Sequence, residues 1–208
     1  MCARLHGRVN AELQILGELQ SRRMKIRAAV KADRDAIWNI FHEIVAAGDT
    51  YAFDPNTSQG EALAYWFRAD THTYVAEIHR QSVGGAIGFP GPARPSPTIG
   101  TKDWVIAGTY ILRPTQPGPG SHIANAAFMV ASNAQGSGVG RAMAEHCLSE
   151  ARRMGFRAMQ FNFVVSTNTP AIYLWKQLGF EIIGTLPGAF RHPEKGYVDV
   201  YIMFRSLL

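Results

Sequence analysis

The sequence is poor in cysteine, and its two thiols stand far apart in the chain. Cys2 and Cys147 are the only cysteines among 208 residues, which excludes a disulfide framework and a cysteine-rich zinc site. The seven histidines include no pair with the HExxH spacing of a zinc hydrolase. We therefore predict no metal site.

Long apolar runs are also missing. No uninterrupted stretch approaches the roughly 18 apolar residues that a membrane-spanning helix needs. Residues 1–23 include arginines but no continuous apolar run of the kind found in a signal peptide. We therefore expect no membrane segment and a cytoplasmic protein. A chain of 208 residues suits one domain with a sizeable buried core.

Net charge is concentrated at one end of the chain. The formal net charge is +5. Residues 1–31 contain seven Lys or Arg and two Glu, whereas the remaining residues contain fourteen of each sign. A neutral body argues against nucleic acid as a partner. We predict that residues 1–23 are an N-terminal extension, in part helical, or the product of an upstream start codon, and that residues 24–208 form the domain.

Helical and extended patterns alternate along this domain. Apolar residues at three- and four-residue steps predict helices, and these fall at 33–48, 58–68, 141–154 and 169–178. Strands are predicted at 24–30, 71–79, 104–112, 122–130, 157–165, 180–186 and 197–205. A long Gly- and Pro-rich loop is predicted at 83–101. Strands mixed with helices, and hairpins at the end of the chain, indicate an α/β sandwich.

The clearest chemical motif is a glycine-rich turn, QGSGVGR at 135–141, between a predicted strand and a helix. Glycines in alternate positions let the backbone approach a ligand closely. The start of the helix adds free N–H groups and a positive dipole end, which together suit a diphosphate. A Walker A loop would need Lys-Ser/Thr where this chain has Arg141-Ala142, and neither register fits GxGxxG. The alternative is a glycine-rich turn without a ligand.

A second motif follows at residues 168–180, Asn-x-x-Ala-x-x-Leu-Trp-x-x-Leu-Gly-Phe. Together with the 135–140 turn, it resembles the two-part signature of the GNAT superfamily of N-acetyltransferases. The resemblance covers about residues 24–206. It implies acetyl-CoA as co-substrate, a homodimer, and the GNAT fold, which is a mixed sheet of about six to seven strands, splayed at strands 4 and 5 and flanked by about four helices.

The resemblance also assigns roles to individual residues. The diphosphate of coenzyme A would be held by backbone N–H groups of the turn, namely Gln135, Gly136, Ser137, Gly138, Val139, Gly140 and Arg141. Phe128, Met129 and Val130 would pair with the pantetheine arm, and Asn168 would form a hydrogen bond with the cofactor near this arm. The N–H of Val130 would stabilise the oxyanion that develops during transfer. The alternative for Phe128 and Val130 is simple core packing.

One residue departs from the family pattern. The family has a Tyr that protonates the leaving thiolate, and Trp175 stands at this position. An indole N–H only donates hydrogen bonds and is not an acid near neutral pH. Tyr173 is two residues earlier, which on a helix directs it elsewhere. Another group or water therefore protonates the thiolate, or the thiolate leaves unaided, since a thiol has a pKa of about 8.5.

A narrower resemblance concerns the acceptor. The segments HIANAAF, FNFVVSTNTPAIYLWKQLGF and GTLPGAFRHPEKGYVD are similar to the proline-analogue (azetidine-2-carboxylate) N-acetyltransferases. This resemblance implies that Asn125 and Asn162 contact an amino acid or an amino-acid analogue. The alternative is that each amide satisfies neighbouring backbone groups. Transfer would be a direct attack by a small-molecule amine in a ternary complex, without a covalent intermediate on Cys147.

The attacking amine must first lose a proton, so a base or a water relay is needed. Glu77, Glu43 and His42 are candidate bases, although each is also typical of a solvated surface. Arg191 and His192 are candidates for binding an anionic substrate group, or else belong to an exposed turn.

Two other functions remain open at this point. The basic segment 1–31 suits acetylation of a macromolecular amine, such as a protein N-terminus or an aminoacyl-tRNA. Trp175 in place of Tyr suits a coenzyme A-binding sensor without catalysis.

Overall fold

A computed structural model describes residues 24–79 and 103–208 of the chain. The predicted extension at 1–23 and the loop at 83–101 lie outside these residues. The strands are β1 Met24–Ala28, β2 His72–His79, β3 Trp104–Pro114, β4 Ile123–Val130, β5 Ala158–Val165, β6 Glu181–His192 and β7 Gly196–Ser206. The helices of the described part are α1 Arg34–Ala47, α2 Gln59–Trp66, α3 Val139–Arg153 and α4 Thr169–Gln177.

The strands form one seven-stranded sheet in the order β1-β2-β3-β4-β5-β7-β6. The only parallel neighbours in it are β4 and β5. These two strands pair at Ile123↔Ala158 and Ala124↔Met159 and then diverge. The gap between residues 125–130 and residues 160–165 is called the β4–β5 cleft below. The predicted fold, including the splay between strands 4 and 5, is confirmed.

Helices cover both faces of the sheet. On one face, α3 and α4 bury Met143, Cys147 and Trp175 against residues of β3, β4 and β5. On the other face, α1 and α2 bury Phe41 and Trp66 against Ile111 and Met129. Residues therefore alternate along β3 and β4 between two cores, as side chains of a strand must. The cleft opens between these two layers.

Strand β5 contains an irregularity that the sequence did not reveal. Regular alternation along β5 would place Phe163 on the same face as Met159 and Phe161. The pairing of β5 with β7 shifts register between Phe161 and Val164, so Val164 is buried instead and Phe163 is 40% exposed. An extra residue in one strand of a pair displaces the following side chains.

Strand β6 is longer than the predicted 180–186. It continues to His192, with pairs Phe190↔Val198 and His192↔Gly196 to β7. His192 is buried, and its Nδ1 accepts hydrogen bonds from the N–H groups of Glu194 and Lys195. The alternative of an exposed turn at 191–192 is therefore wrong. The pairing of β6 with β7 continues past Pro187, and the chain turns only after His192.

Candidate functional site

The glycine-rich turn presents unpaired backbone donors. Gly136 and Gly138 have φ of 74° and 87°, a region that favours glycine over residues with a Cβ. The first N–H of α3 with a backbone acceptor is that of Ala142, which donates to Gly138. The donors left without a backbone acceptor in the described part are the N–H groups of Gly136, Gly138, Val139, Gly140 and Arg141.

The electrostatics of this turn suit an anion. Its donors lie at the N-terminus of a 15-residue helix, α3, whose first turn contains no acidic residue. The helix dipole places partial positive charge there. Arg141 adds a guanidinium, which forms an exposed ion pair with Glu145 at 3.6 Å. A cradle of free N–H groups without a competing carboxylate fits a diphosphate.

Strand β4 directs part of its backbone into the cleft. The N–H of Ala131 donates to Ala107 on the β3 side. Because backbone groups alternate sides along a strand, the groups of Met129 also face β3, and its side chain is buried. The N–H groups of Phe128 and Val130 therefore face the edge from which β5 has diverged, and the prediction that Met129 pairs with the pantetheine arm is wrong, because its backbone groups belong to the β3–β4 ladder.

Tyr51 occupies part of this edge. Its hydroxyl donates to the carbonyl oxygen of Phe128 at 2.5 Å and accepts from the N–H of Phe128 at 3.1 Å. Burial raises the pKa of Tyr51 well above its ordinary value, so the phenol stays protonated near neutral pH. Among the described residues, the N–H of Val130 has no such partner. Val130 is therefore the free donor at the mouth of the cleft.

The two predicted substrate asparagines lie on the diverging strands. Asn125 is half-buried on β4, on the face covered by α1 and α2, and forms no side-chain hydrogen bond within the described part. Asn162 is exposed on β5, and its Oδ1 accepts from Gln160 Nε2 at 2.7 Å. Extending the β4–β5 register by one residue places Asn125 beside Gln160. The two amides therefore share one face of the sheet on opposite sides of the cleft.

Asn168 is the N-cap of α4, which begins at Thr169. Its Oδ1 accepts from the N–H of Ala171 at 3.2 Å, as N-cap side chains do. The side-chain oxygen of Asn168 thus has a partner, whereas its amide nitrogen forms no hydrogen bond within the described part and can donate two. This arrangement suits donation to a carbonyl group of a ligand.

Trp175 is a core residue. It is 8% exposed, and its ring lies 4.6 Å from Phe161 and 5.0 Å from Phe128, measured between centroids. Phe161 in turn stacks on Phe180 at 4.5 Å. These aromatic rings join the strands on the α3–α4 face where the backbone ladder has ended.

The candidate base Glu77 is engaged elsewhere. Its carboxylate accepts from Arg27 Nε at 3.0 Å and from Arg27 Nη2 at 2.5 Å. The same guanidinium donates to the buried Asp33 at 2.6 and 2.9 Å. Glu77 lies on β2, two strands from β4, and is part of a structural ion-pair cluster rather than a free base at the cleft.

Removing the Asp33 carboxylate is expected to destabilise the fold. Burial alone would raise the pKa of Asp33, but hydrogen bonds from Arg27 and from the N–H of Val30 outweigh it and hold the pKa below 3.8. The carboxylate therefore stabilises the fold above this pH, and the contribution is lost as the pH falls below it. Asp33→Ala should cost about 3 kcal/mol at pH 7, measured by urea unfolding.

The matched control is Asp35→Ala, since Asp35 is exposed in the first turn of α1. Its expected cost is below about 1 kcal/mol. Equal effects of the two substitutions would contradict a structural role of the Arg27–Asp33 pair.

The remaining candidate residues are exposed on the surface or buried in the core. His42 and Glu43 are exposed on α1, and the His42 ring lies 5.0 Å from Trp38. Arg191 pairs with Tyr197 in the β6–β7 hairpin. Cys147 is fully buried, and burial raises the pKa of its thiol. A buried neutral thiol is a poor nucleophile, in agreement with transfer without a covalent intermediate.

Sequence reasoning missed three residues around the cleft, namely Tyr51, Tyr65 and Arg113. Tyr51 and Tyr65 belong to an aromatic group on the α1–α2 side, in which Phe53 lies 6.2 Å from Tyr51 and 5.0 Å from Tyr65. Arg113 Nη2 donates to the Tyr65 hydroxyl at 2.9 Å. The cluster of aromatics in 51–67 was the available signal, but its contact with β4 depends on the sheet order.

Residues 24–79 and 103–208 include no group of three or more His, Cys, Asp or Glu side chains suited to a metal ion. The helices within these ranges also include no candidate for a membrane span.

Comparison with known proteins gives consistent matches. The model of the acetyltransferase (GNAT) family matches residues 35–180. A GCN5-related N-acetyltransferase from Kribbella flavida is 40% identical, with a TM-score of 0.74, over 89% of this chain and 99% of that chain. The N-acetyltransferase aca1 of Schizosaccharomyces pombe is 32% identical over 163 residues, which are 76% of this chain and 72% of aca1.

A further solved structure shares the fold. The acetyltransferase yncA of Salmonella typhimurium, solved with its cofactor acetyl-CoA, is 23% identical. Its TM-score is 0.67, over 89% of this chain and 94% of that chain.

Proposed function

Because the chain belongs to the acetyltransferase (GNAT) family, we propose that it transfers the acetyl group of acetyl-CoA to the amine of a small molecule, an amino acid or amino-acid analogue. It is an N-acetyltransferase, and acetyl-CoA is its co-substrate. The observation that carries the proposal is the free N–H of Val130, which faces the β4–β5 cleft on the strand that leads into the glycine-rich turn.

The turn and β4 would position the co-substrate, which supplies an activated acetyl group as a thioester. The free N–H groups of Gly136, Gly138, Val139, Gly140 and Arg141 bind the diphosphate, since those of Gln135 and Ser137 donate to Ser132 and Ala134. The carbonyl group of Val130 pairs with the pantetheine arm. The backbone groups of Phe128 are taken by Tyr51, and those of Met129 face β3. Asn168 donates from its free amide nitrogen. The N–H of Val130 donates to the thioester oxygen, where negative charge develops, and a fixed donor there lowers the barrier.

The acceptor amine attacks directly in a ternary complex. Glu77 is paired with Arg27 on β1, and Tyr51 is a protonated phenol rather than a base. The amine proton leaves to water in the cleft. The leaving thiolate, with a pKa of about 8.5 for the thiol, takes its proton from water as well, since the Trp175 indole is only a donor of hydrogen bonds.

The two asparagines support an amino-acid acceptor. Asn125 and Asn162 lie on the same face across the cleft, so their amides can donate to a carboxylate and accept from an amine. Within the family, we place the chain nearest the proline-analogue acetyltransferases, on the segments around these two residues. The electrical neutrality of the body beyond residue 31 favours a small acceptor over a nucleic acid.

The test is an activity assay with purified protein, acetyl-CoA and a panel of amino acids that includes proline analogues. Release of coenzyme A thiol, dependent on the amine and accompanied by the acetylated product in mass spectrometry, is expected. Asn162→Ala should lower kcat/KM by about tenfold, from loss of one hydrogen bond to a charged group. Gln177→Ala, at the far end of α4, is the control.

Other outcomes separate the competing functions. Tight binding of acetyl-CoA without turnover of any amine would favour a sensor. Acetylation of peptides or aminoacyl-tRNA, together with inactivity toward free amino acids, would favour a macromolecular acceptor. Either result would reject the small-molecule proposal.

A further inference from the structure

We propose that Arg113, Tyr65 and Asn125 form a subsite for the carboxylate of the acceptor. The inference rests on the proposed function, because it describes part of the same substrate. It adds two residues, Arg113 and Tyr65, that hold the anion.

Arg113 lies next to the cleft. It is the direct β3 partner of Asn125 on β4, and side chains of such pairs lie about 5 Å apart on one face of a sheet. The neighbouring residues Ile111 and Ala127 of these strands pack with α1 and α2. Arg113 and Asn125 therefore share the face covered by these helices. Asn125 lies on β4 at the edge of the cleft, and Arg113 lies one strand farther from it, on β3.

The three side chains present donors to one region. The Tyr65 oxygen accepts from Arg113 Nη2 at 2.9 Å, so the hydroxyl proton of Tyr65 is left to donate. The guanidinium carbon of Arg113 lies 5.0 Å from the centre of the Tyr65 ring, so the guanidinium packs against this ring. With the amide of Asn125, the cluster offers guanidinium, hydroxyl and amide donors.

No counterion for Arg113 occurs among the described residues. Their ion pairs do not include it, and residues 80–102 contain no Asp or Glu. Arg27 is the contrast, since it binds two carboxylates, Asp33 and Glu77. A half-buried guanidinium retains strong affinity for a planar oxyanion, because its fork matches a carboxylate. The cluster therefore suits a carboxylate ligand.

The experiment compares three amines of equal chain length with the full-length enzyme and acetyl-CoA. They are δ-aminovalerate, with the carboxylate far from the amine; norvaline, with both groups on one carbon; and pentylamine, without a carboxylate. We expect kcat/KM for δ-aminovalerate and norvaline, which carry a carboxylate, to be at least about tenfold higher than that for pentylamine.

Variants identify the residue. Arg113→Met should lower kcat/KM for δ-aminovalerate by about 10- to 100-fold through KM, which is the loss of a hydrogen-bonded charge. It should change the value for pentylamine by less than about threefold. Arg113→Lys should restore part of the loss, and Tyr65→Phe should show a smaller loss of the same selectivity. Arg68→Met, at an exposed arginine outside the cleft, is the matched control.

The outcomes are separable from those of the proposed function. Equal turnover of δ-aminovalerate and pentylamine, or equal losses for both in Arg113→Met, would overturn the inference and leave acetyl transfer intact. Turnover of none of the three would also reject it. Only inactivity toward the wider amino-acid panel would reject the proposed function.

Discussion

Replacing Gly138 with aspartate is expected to raise the dissociation constant for coenzyme A by at least about 100-fold. Gly138 sits immediately before α3, where the introduced carboxylate would face the bound diphosphate. Two like charges about 4 Å apart repel by about 4 kcal/mol at the dielectric of a protein surface. The carboxylate would also accept from the helix N–H groups that otherwise hold the ligand. Isothermal titration calorimetry measures the effect.

The same substitution at the other end of α3 provides a matched control. Gly155 has φ of 83°, close to the 87° of Gly138, and an added Cβ meets nothing within 4 Å at either glycine. Backbone strain is therefore similar in Gly155→Asp, but the charge lies roughly 22 Å from the diphosphate along a 15-residue helix. Its affinity should stay within about threefold of the parent. Comparable losses in the two variants would refute the diphosphate cradle.

Replacing Val130 with proline is expected to lower kcat by about 100- to 1,000-fold, the range for loss of an oxyanion donor. Proline removes the N–H that faces the cleft. That N–H is outside the β3–β4 ladder, because the neighbouring Ala131 donates to Ala107 on the β3 side. A proline on such an open edge is tolerated. Initial-rate assays at saturating acetyl-CoA and amine measure kcat, and circular dichroism verifies the fold.

Val130→Ala separates the backbone from the side chain. A Cβ placed on Gly140 would lie 3.7 Å from Val130 Cγ2, so this side chain packs near the start of α3 and its loss costs some packing. The N–H remains, and kcat should fall by less than about tenfold, for a packing loss near 1 kcal/mol. If alanine and proline lowered kcat equally, the N–H of Val130 would have no part in the reaction.

The two motifs could be predicted from the sequence because each is local. A strand, a glycine-rich turn and an amphipathic helix follow one another at 122–154, and their periodicities are distinct. The apolar stripe of α3, including Met143 and Cys147, is buried as this pattern predicts. The divergence of β4 and β5 came from the family resemblance, since no local pattern reports where two strands stop pairing.

Features that depend on distant partners were beyond sequence reasoning. The contact between Tyr51 and Phe128 spans 77 positions, and the pairing of Arg113 with Asn125 requires the order of the sheet. Glu77 is bound by Arg27, which is fifty positions away in the sequence, so this ion pair could not be predicted from local pattern. The β5 bulge that exposes Phe163 also arises from pairing with β7, as bulges are properties of strand pairs.

The aromatic contacts of Trp175 give the cleft an adjustable width. Hydrogen-bonded strands have a fixed separation of about 4.8 Å, but β4 and β5 are held apart at their open ends by ring volumes of Phe128, Phe161 and Trp175. Exchanging one ring for a larger or smaller side chain would move the two strands without breaking a backbone hydrogen bond. The aperture can thus change by single substitutions while the rest of the sheet keeps its register.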